Sequence, residues 1–459
     1  MASRQKNKKV VTRGRVIVLF ALCTFGLVRL GLSFAEGPTS IRSVEKLAAV
    51  KNATAPQPLF RDGGSSVRLG NKILWLFGDT LFTEKSVDGT NGRSNTAAWA
   101  DSTQPYRLTE PLDANGAPSQ FIPFNTKEAA YNAASTDPND RYVIWPTQAV
   151  NIDENTAYVY YLRLKSSPNP TTLVKKGIGI ASVSTNSTAA RVVNESVFSE
   201  NDAQFRPVAV RDSLVYLQDC RQNGFVSDCA VARVQKSQMA IRSAYDFWDG
   251  STWQKNSGRA AYSIPGSPST MAITWNAYSQ KFLMLSAPAF SRDLALRTAD
   301  EIQGPWSAPK LAYTDTTSKF PSILYFHDEL SSNSGQSIVF TATQNYNSFN
   351  EGDGIFAFRI NFDSKSVVTN PNVGGGTGAT PTTPKKSTNT PVASKNEAEA
   401  LAKNTASPNN ADSSLPVIGL QPRHQYSKNY MLVGAVCVAG VAVIGRFAYR
   451  RRKLKKNNS

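Results

Sequence analysis

Arg61-Asp62-Gly63-Gly64-Ser65-Ser66-Val67-Arg68-Leu69-Gly70-Asn71-Lys72-Ile73-Leu74-Trp75-Leu76-Phe77-Gly78-Asp79-Thr80-Leu81-Phe82 is the stretch on which the fold turns. Two β-prone runs flank Gly70-Asn71, a Gly-first pair of the kind that closes two-residue hairpins. With that pair as the loop, Leu69 faces Lys72, Ser66 faces Trp75, Gly64 faces Phe77 and Asp62 faces Asp79. Opposed residues hold their Cβ atoms about 4.5–5.5 Å apart, so two acids are expected side by side at the apolar end of a ladder. Like charges repel there, and one carboxyl is expected to keep a proton near neutrality. A protonated acid beside an ionised one can cleave a glycosidic bond. The same residues also have a plainer reading. Asp-Gly-Gly is a common turn, and Gly-Asp-Thr often ends a strand with Asp bonded to nearby backbone. A one-residue bulge would turn the two acids to opposite faces.

Outward from the hairpin, strand candidates recur with turn signals between them. They include 94–99, 141–146, 156–164, 177–183, 207–210, 213–217, 230–234, 271–275, 281–286, 294–297, 323–326, 337–343 and 354–360. Helical periodicity is almost absent; one or two helical turns are expected in 36–51, and 105–140 reads as a long connection lining a groove. This pattern predicts an all-β sandwich, barrel or propeller, and its length suits a five-bladed β-propeller of about four strands per blade. No crisp repeat fixes the blade number.

The formal net charge of +17 is unevenly spread. The N-terminal 35 residues and the last 41 hold many Lys and Arg and no acid, leaving about −1 for 36–364. A nucleic-acid partner is therefore not expected. Residues 1–35 have the grammar of a secretory signal peptide, with a basic start, an apolar run and Ser33-Phe34-Ala35 before Glu36. The propeller is expected over 36–364. Residues 365–428 are poor in aromatics and rich in Thr, Ser, Pro and Asn, the composition of a disordered stalk. Residues 429–449 are long and apolar enough for a single transmembrane helix, and the basic tail 450–459 belongs on the cytoplasmic side. A type I membrane protein of the secretory pathway and cell surface follows, with an extracellular or luminal propeller.

Cys220 and Cys229 flank Asn223-Gly224, a spacing suited to a disulfide across a hairpin in an oxidising compartment. Asn52, Asn186 and Asn194 begin glycosylation sequons. The sequence has two histidines, His327 and His424, and neither has the company of a nucleophile elbow or a metal-ligand spacing. There is no phosphate-binding Gly-rich loop, so no metal and no cofactor are expected. Any enzyme chemistry here is carboxylate chemistry. Asp62 and Asp79 are the candidate catalytic pair, and Asp137, Asp219, Asp246 and Glu329 are candidates for a third acid. Asn95, Trp145, Arg206, Trp275 and His327 are candidate substrate contacts, each with a structural reading beside it. Aromatic rings stack on sugar faces, but most propeller aromatics pack between blades.

Three stretches carry a resemblance. Asp62-Gly63-Gly64-Ser65 with Leu74-Trp75-Leu76-Phe77-Gly78-Asp79-Thr80 resembles the signature of the family called domain of unknown function 4185. Arg297-Thr298-Ala299 with Gly304-Pro305-Trp306-Ser307 is similar to its late blade motif. Tyr325-Phe326-His327-Asp328-Glu329-Leu330 is similar to its Tyr-x-His-Pro-Glu-Leu element, with Asp328 in place of Pro. The resemblance covers about 56–362. It implies a five-bladed propeller of the kind found in endo-D-arabinanases, whose catalytic carboxylates lie in this first hairpin and map onto Asp62 and Asp79. The expected function is a membrane-anchored glycoside hydrolase acting on a furanose-containing, arabinan-like glycan. The rival is a non-catalytic propeller that binds glycan or protein as a surface receptor.

Overall fold

Strands with short turns between them build four antiparallel blades in chain order, and a fifth that joins both ends of the folded region. Blade I holds Leu59–Leu69, Lys72–Phe82 and Thr96–Asp101. Blade II holds Tyr142–Asn151, Thr156–Pro168, Thr171–Ser184 and Arg191–Ser199. Blade III begins with Arg206–Arg211, Leu214–Asn223, Val226–Gln235 and Asp246–Trp248. Blade IV holds Thr270–Asn276, Lys281–Ala287, Asp293–Ala299 and Lys310–Thr314. Blade V pairs Pro321–Ser332, Ser337–Gln344 and Gly354–Phe362 with Ile41–Ala49 from the other end of the domain. The first strand of each blade touches the first strand of the next, and blade V touches blade I, so the ring closes. This is the all-β, five-bladed propeller that the sequence predicts.

The computed structural model describes residues 39–364, apart from 138, 169–170, 224–225, 267–269, 289–290, 317–320 and 345–353. The chain divides into two units, Met1–Gly37 and Pro38–Ser459, and the described residues belong to the second. The expected signal peptide, stalk, transmembrane helix and tail lie outside the described residues. Among the described residues no helix is long and apolar enough to cross a membrane.

The alternation along each strand turns apolar residues to both faces of a blade, and each seam is filled from both sides. Val67, Leu74 and Ala97 of blade I meet Ile144, Val159 and Ala181 of blade II. Leu217, Ala230 and Ala232 of blade III meet Val150, Tyr160 and Ile178 of blade II. Ile73, Trp75 and Phe77 of blade I meet Ile355 of blade V. Each buried Val, Leu, Ile or Phe among them contributes about 1.5–3 kcal/mol, so the seams hold the ring.

Two expectations are corrected. Residues 36–51 hold no described helix; Ile41–Ala49 is the outer strand of blade V. Its apolar residues Ile41, Val44 and Leu47 recur at a helical spacing, but register shifts after Ile41 and Lys46 rephase the side chains. The connection 105–140 is not all loop, because Thr126–Ala134 is an α-helix with a capping box between Asn125 and Glu128. Its first residues do line a groove. Thr103–Arg107 face Ala49 and 51–53 across about 680 Å³, and neither Asp62 nor Asp79 borders that space. Cys220 and Cys229 are opposed in register and disulfide-bonded, as the spacing predicts.

Candidate active site on the first inner strand

The first hairpin keeps the expected register from Leu69–Lys72 to Ser65–Leu76 and then departs from it. Gly63, not Gly64, faces Phe77. Gly64 is the extra residue of a bulge, and both glycines have positive φ, 95° and 103°. A side chain on Gly64 would meet Ile355 Cδ1 of blade V at 3.1 Å, so the backbone passes where only glycine fits. A second irregularity follows, and Arg61 faces Thr80 again. Asp62 thus lies against Gly78 and Asp79 together, because the second shift undoes the first. A Cβ built on Gly78 would lie 4.0 Å from Asp62 Cβ, so Gly78 leaves room for the acid.

Burial raises the Asp62 pKa to about 7, and the Asp79 charge adds to the effect. Asp62 Oδ1 is buried and has no hydrogen-bond partner. Burial raises the Asp79 pKa too, but the Arg141 charge and a hydrogen bond from Trp145 oppose it. Trp145 Nε1 donates to Asp79 Oδ1 at 3.1 Å. The two carboxyls therefore differ in kind. Asp79 is provided with a cation and a side-chain donor, whereas Asp62 has only a backbone donor at Gly63 to oppose its burial. Beneath them Arg61, stacked 4.4 Å over Phe77, donates to buried Glu110 at 2.8 Å and ties the strand down.

Other blades add groups that the sequence reading did not single out. Arg141 precedes the inner strand of blade II. Tyr325, on the inner strand of blade V, has its pKa raised to about 12 by burial and the Asp62 charge, against the pull of Arg206, so its phenol keeps its proton. Asp328, three residues on, accepts from Thr274 Oγ1 of blade IV at 2.7 Å. Solvent touches it, yet its place between two blades raises its pKa to about 6 by desolvation. Tyr325 and Asp328 fall inside the third motif, which includes the one as its Tyr and has the other in place of Pro, but the motif gives neither a part in the site.

The expected substrate contacts separate. Trp145 and Arg206 lie at the acid end of the ring, Trp145 bonded to Asp79 and Arg206 exposed. Asn95 is fully buried and clamps the backbone of Phe121, Ile122 and Ile144. His327 is fully buried in the seam between blades V and I, bonded to Ser66 at 2.5 Å and Thr341 at 2.9 Å, with Trp75 against its ring. Trp275 lies under Arg211, at the far end of the inner strand that begins with Arg206. Asn95 thus braces the backbone beside Trp145, and His327 and Trp275 pack within the ring.

Among the candidate third acids, Glu329 bonds Ser66 in the same seam as His327. Asp246 pairs with Arg233 and Lys255. Asp137 caps a turn at Asn139, and Asp219 accepts from Tyr262. Of the sequon residues, Asn186 is exposed in a positive-φ turn, whereas Asn52 and Asn194 are half-buried.

The domain of unknown function DUF4185 matches residues 61–350. No curated protein matches the chain. Solved structures with similar folds include a family 117 glycoside hydrolase from Zobellia galactanivorans, at 10% identity and TM-score 0.43, covering 71% of this chain and 92% of that one. The catalytic domain of a Coprinopsis cinerea GH62 alpha-L-arabinofuranosidase is similar at 11% identity and TM-score 0.38, covering 70% and 97%. An exo-beta-1,3-galactanase from Phanerochaete chrysosporium is similar at 12% identity and TM-score 0.42, covering 69% and 64%.

Proposed function

The chain belongs to the DUF4185 family, and from that premise we propose that it is a glycoside hydrolase that cleaves a furanose-containing, arabinan-like glycan with Asp62 and Asp79. The observation that carries this reading is the asymmetry of the pair. Asp62 has a pKa of about 7 and an unpartnered oxygen, while Asp79 is held by Trp145 and faces the Arg141 charge. Asp62 is then the acid that protonates the leaving oxygen, and Asp79 the base that takes a proton from water. Tyr325, keeping its proton, supplies a neutral donor beside Asp62. From the sequence alone we further propose that 429–449 anchors the propeller outside the cytosol.

The test is product analysis with the full chain on a panel that includes D- and L-arabinans. Wild type, Asp62→Asn and Asp79→Asn are compared, each checked by thermal melt. Cleavage by wild type that is lost in both folded variants is expected. Binding without cleavage by wild type would instead favour a glycan receptor.

A further inference from the structure

The hairpin of blade III stands on the acid face. Arg206, the first residue of that blade's inner strand, pairs with Gln218 in the second strand. Residues 219–223 therefore extend past the inner strand, at the end where Arg206 and Asp62 both act on Tyr325. The projecting arm is braced twice. Cys220–Cys229 joins its two strands, and Ile264–Gly266 pairs with 227–229 as a third strand. A Cβ on Gly266 would meet Cys229 Sγ at 2.5 Å, so that approach needs glycine.

The orientation of the arm follows from strand alternation. Leu217 and Ala230 pack toward blade II, and Asp219 and Arg221 follow Leu217 on the same face. That face is turned toward the blade that carries Trp145 and Arg141. The Arg221 guanidinium lies 3.7 Å from the Tyr262 ring centroid, and Tyr262 Oη donates to nearly buried Asp219 at 2.6 Å. Asp219 is thus a positioning residue, and exposed Arg221 with the Tyr262 edge forms the contact surface. Tyr262 is fixed by Asp219, and Arg221 rests on its ring, before any ligand arrives, which lowers the cost of binding.

We propose that Arg221 and Tyr262, set by Asp219 and the disulfide, form a subsite for neutral sugar residues of the substrate chain beyond the bond that is cleaved. The guanidinium donates to ring and hydroxyl oxygens, and the aromatic edge packs on sugar C–H groups. This rests on the hydrolase reading. The subsite holds substrate equally in ground and transition states, so it acts on KM and not on kcat.

The experiment measures kcat and KM of the full chain on arabino-oligosaccharides of increasing length, for wild type, Arg221→Ala, Tyr262→Ala and Tyr262→Phe. For wild type, KM is expected to fall as the chain lengthens. Arg221→Ala and Tyr262→Ala are expected to raise KM about tenfold for long chains, with kcat and short-chain kinetics unchanged. Tyr262→Phe, which keeps the ring, tests the Asp219 tether and is expected to lie between. A length dependence that survives in folded Arg221→Ala and Tyr262→Ala would overturn the subsite. So would an equal loss at every length, accompanied by a lower melting temperature, which marks a structural role. No turnover by wild type on any length would remove the hydrolase reading itself, and the subsite with it.

Discussion

Trp145 Nε1 on Asp79 favours the ionised carboxylate, so its removal must raise that carboxyl's pKa. Trp145→Phe is expected to move the acidic limb of the kcat/KM profile to higher pH, which a pH–rate series would show. Asp62 has the opposite character. Its pKa lies near 7 in the folded protein against 3.8 in the unfolded chain, so between these values the folded state holds a proton that the unfolded state has released. Stability then falls as pH rises through that window. Asp62→Asn removes this penalty, on the order of a few kcal/mol. It is expected to melt above wild type at pH 8 and level with it at pH 4, and equal melting at both would show Asp62 to be ordinary. The pair itself is legible in the sequence, because a tight hairpin brings the two acids together locally. Arg141 and Tyr325 are not legible as partners, since the ring's closure brings them in from blades II and V.

A hairpin register can be counted only while both strands stay regular. Gly70-Asn71 sets the turn, with Gly70 at φ 58°, and the count holds as far as Ser65. It fails at Gly64, where the bulged backbone runs against Ile355, a residue of another blade that a local count does not see. The two glycines shape the bulged strand that carries Asp62. Gly64→Ala combines a strained φ with the Ile355 contact and is expected to cost about 1–3 kcal/mol. It is also expected to lower kcat/KM at least about tenfold by moving Asp62. Gly89→Ala is the control, at φ 77° with open space around its added methyl, and it is expected to destabilise less and leave turnover unchanged. Melting curves beside kinetics would separate the two effects; a Gly64→Ala protein with full activity would show that the bulge does not place the acid.

The all-β ring is legible because nearly every strand shows its own short apolar alternation, and only the outer strand of blade V hides, because it comes from the other end of the domain. Ile41–Ala49 covers the edge of Gly354–Phe362, with Val44 facing Ile360 and Lys46 Nζ 3.4 Å from the Phe356 ring centroid. Without it, the outer edge of blade V presents unpaired backbone beside Phe356 and Phe358, a template for pairing with another chain. Deletion of 36–50 is therefore expected to lower the melting temperature by several degrees and to give oligomers by size-exclusion chromatography with light scattering. A peptide of residues 38–50 added in trans is expected to restore the elution of the intact chain by strand addition. Turnover is expected to fall along with stability, because Ile355 and Tyr325 reach Gly64 and Asp62 from blade V. A truncated chain that elutes like the intact chain but loses turnover would separate the two functions of the closing strand, with blade I keeping its seam but not the setting of Asp62. A truncated chain with full turnover would mean that the acid pair is held by blade I alone.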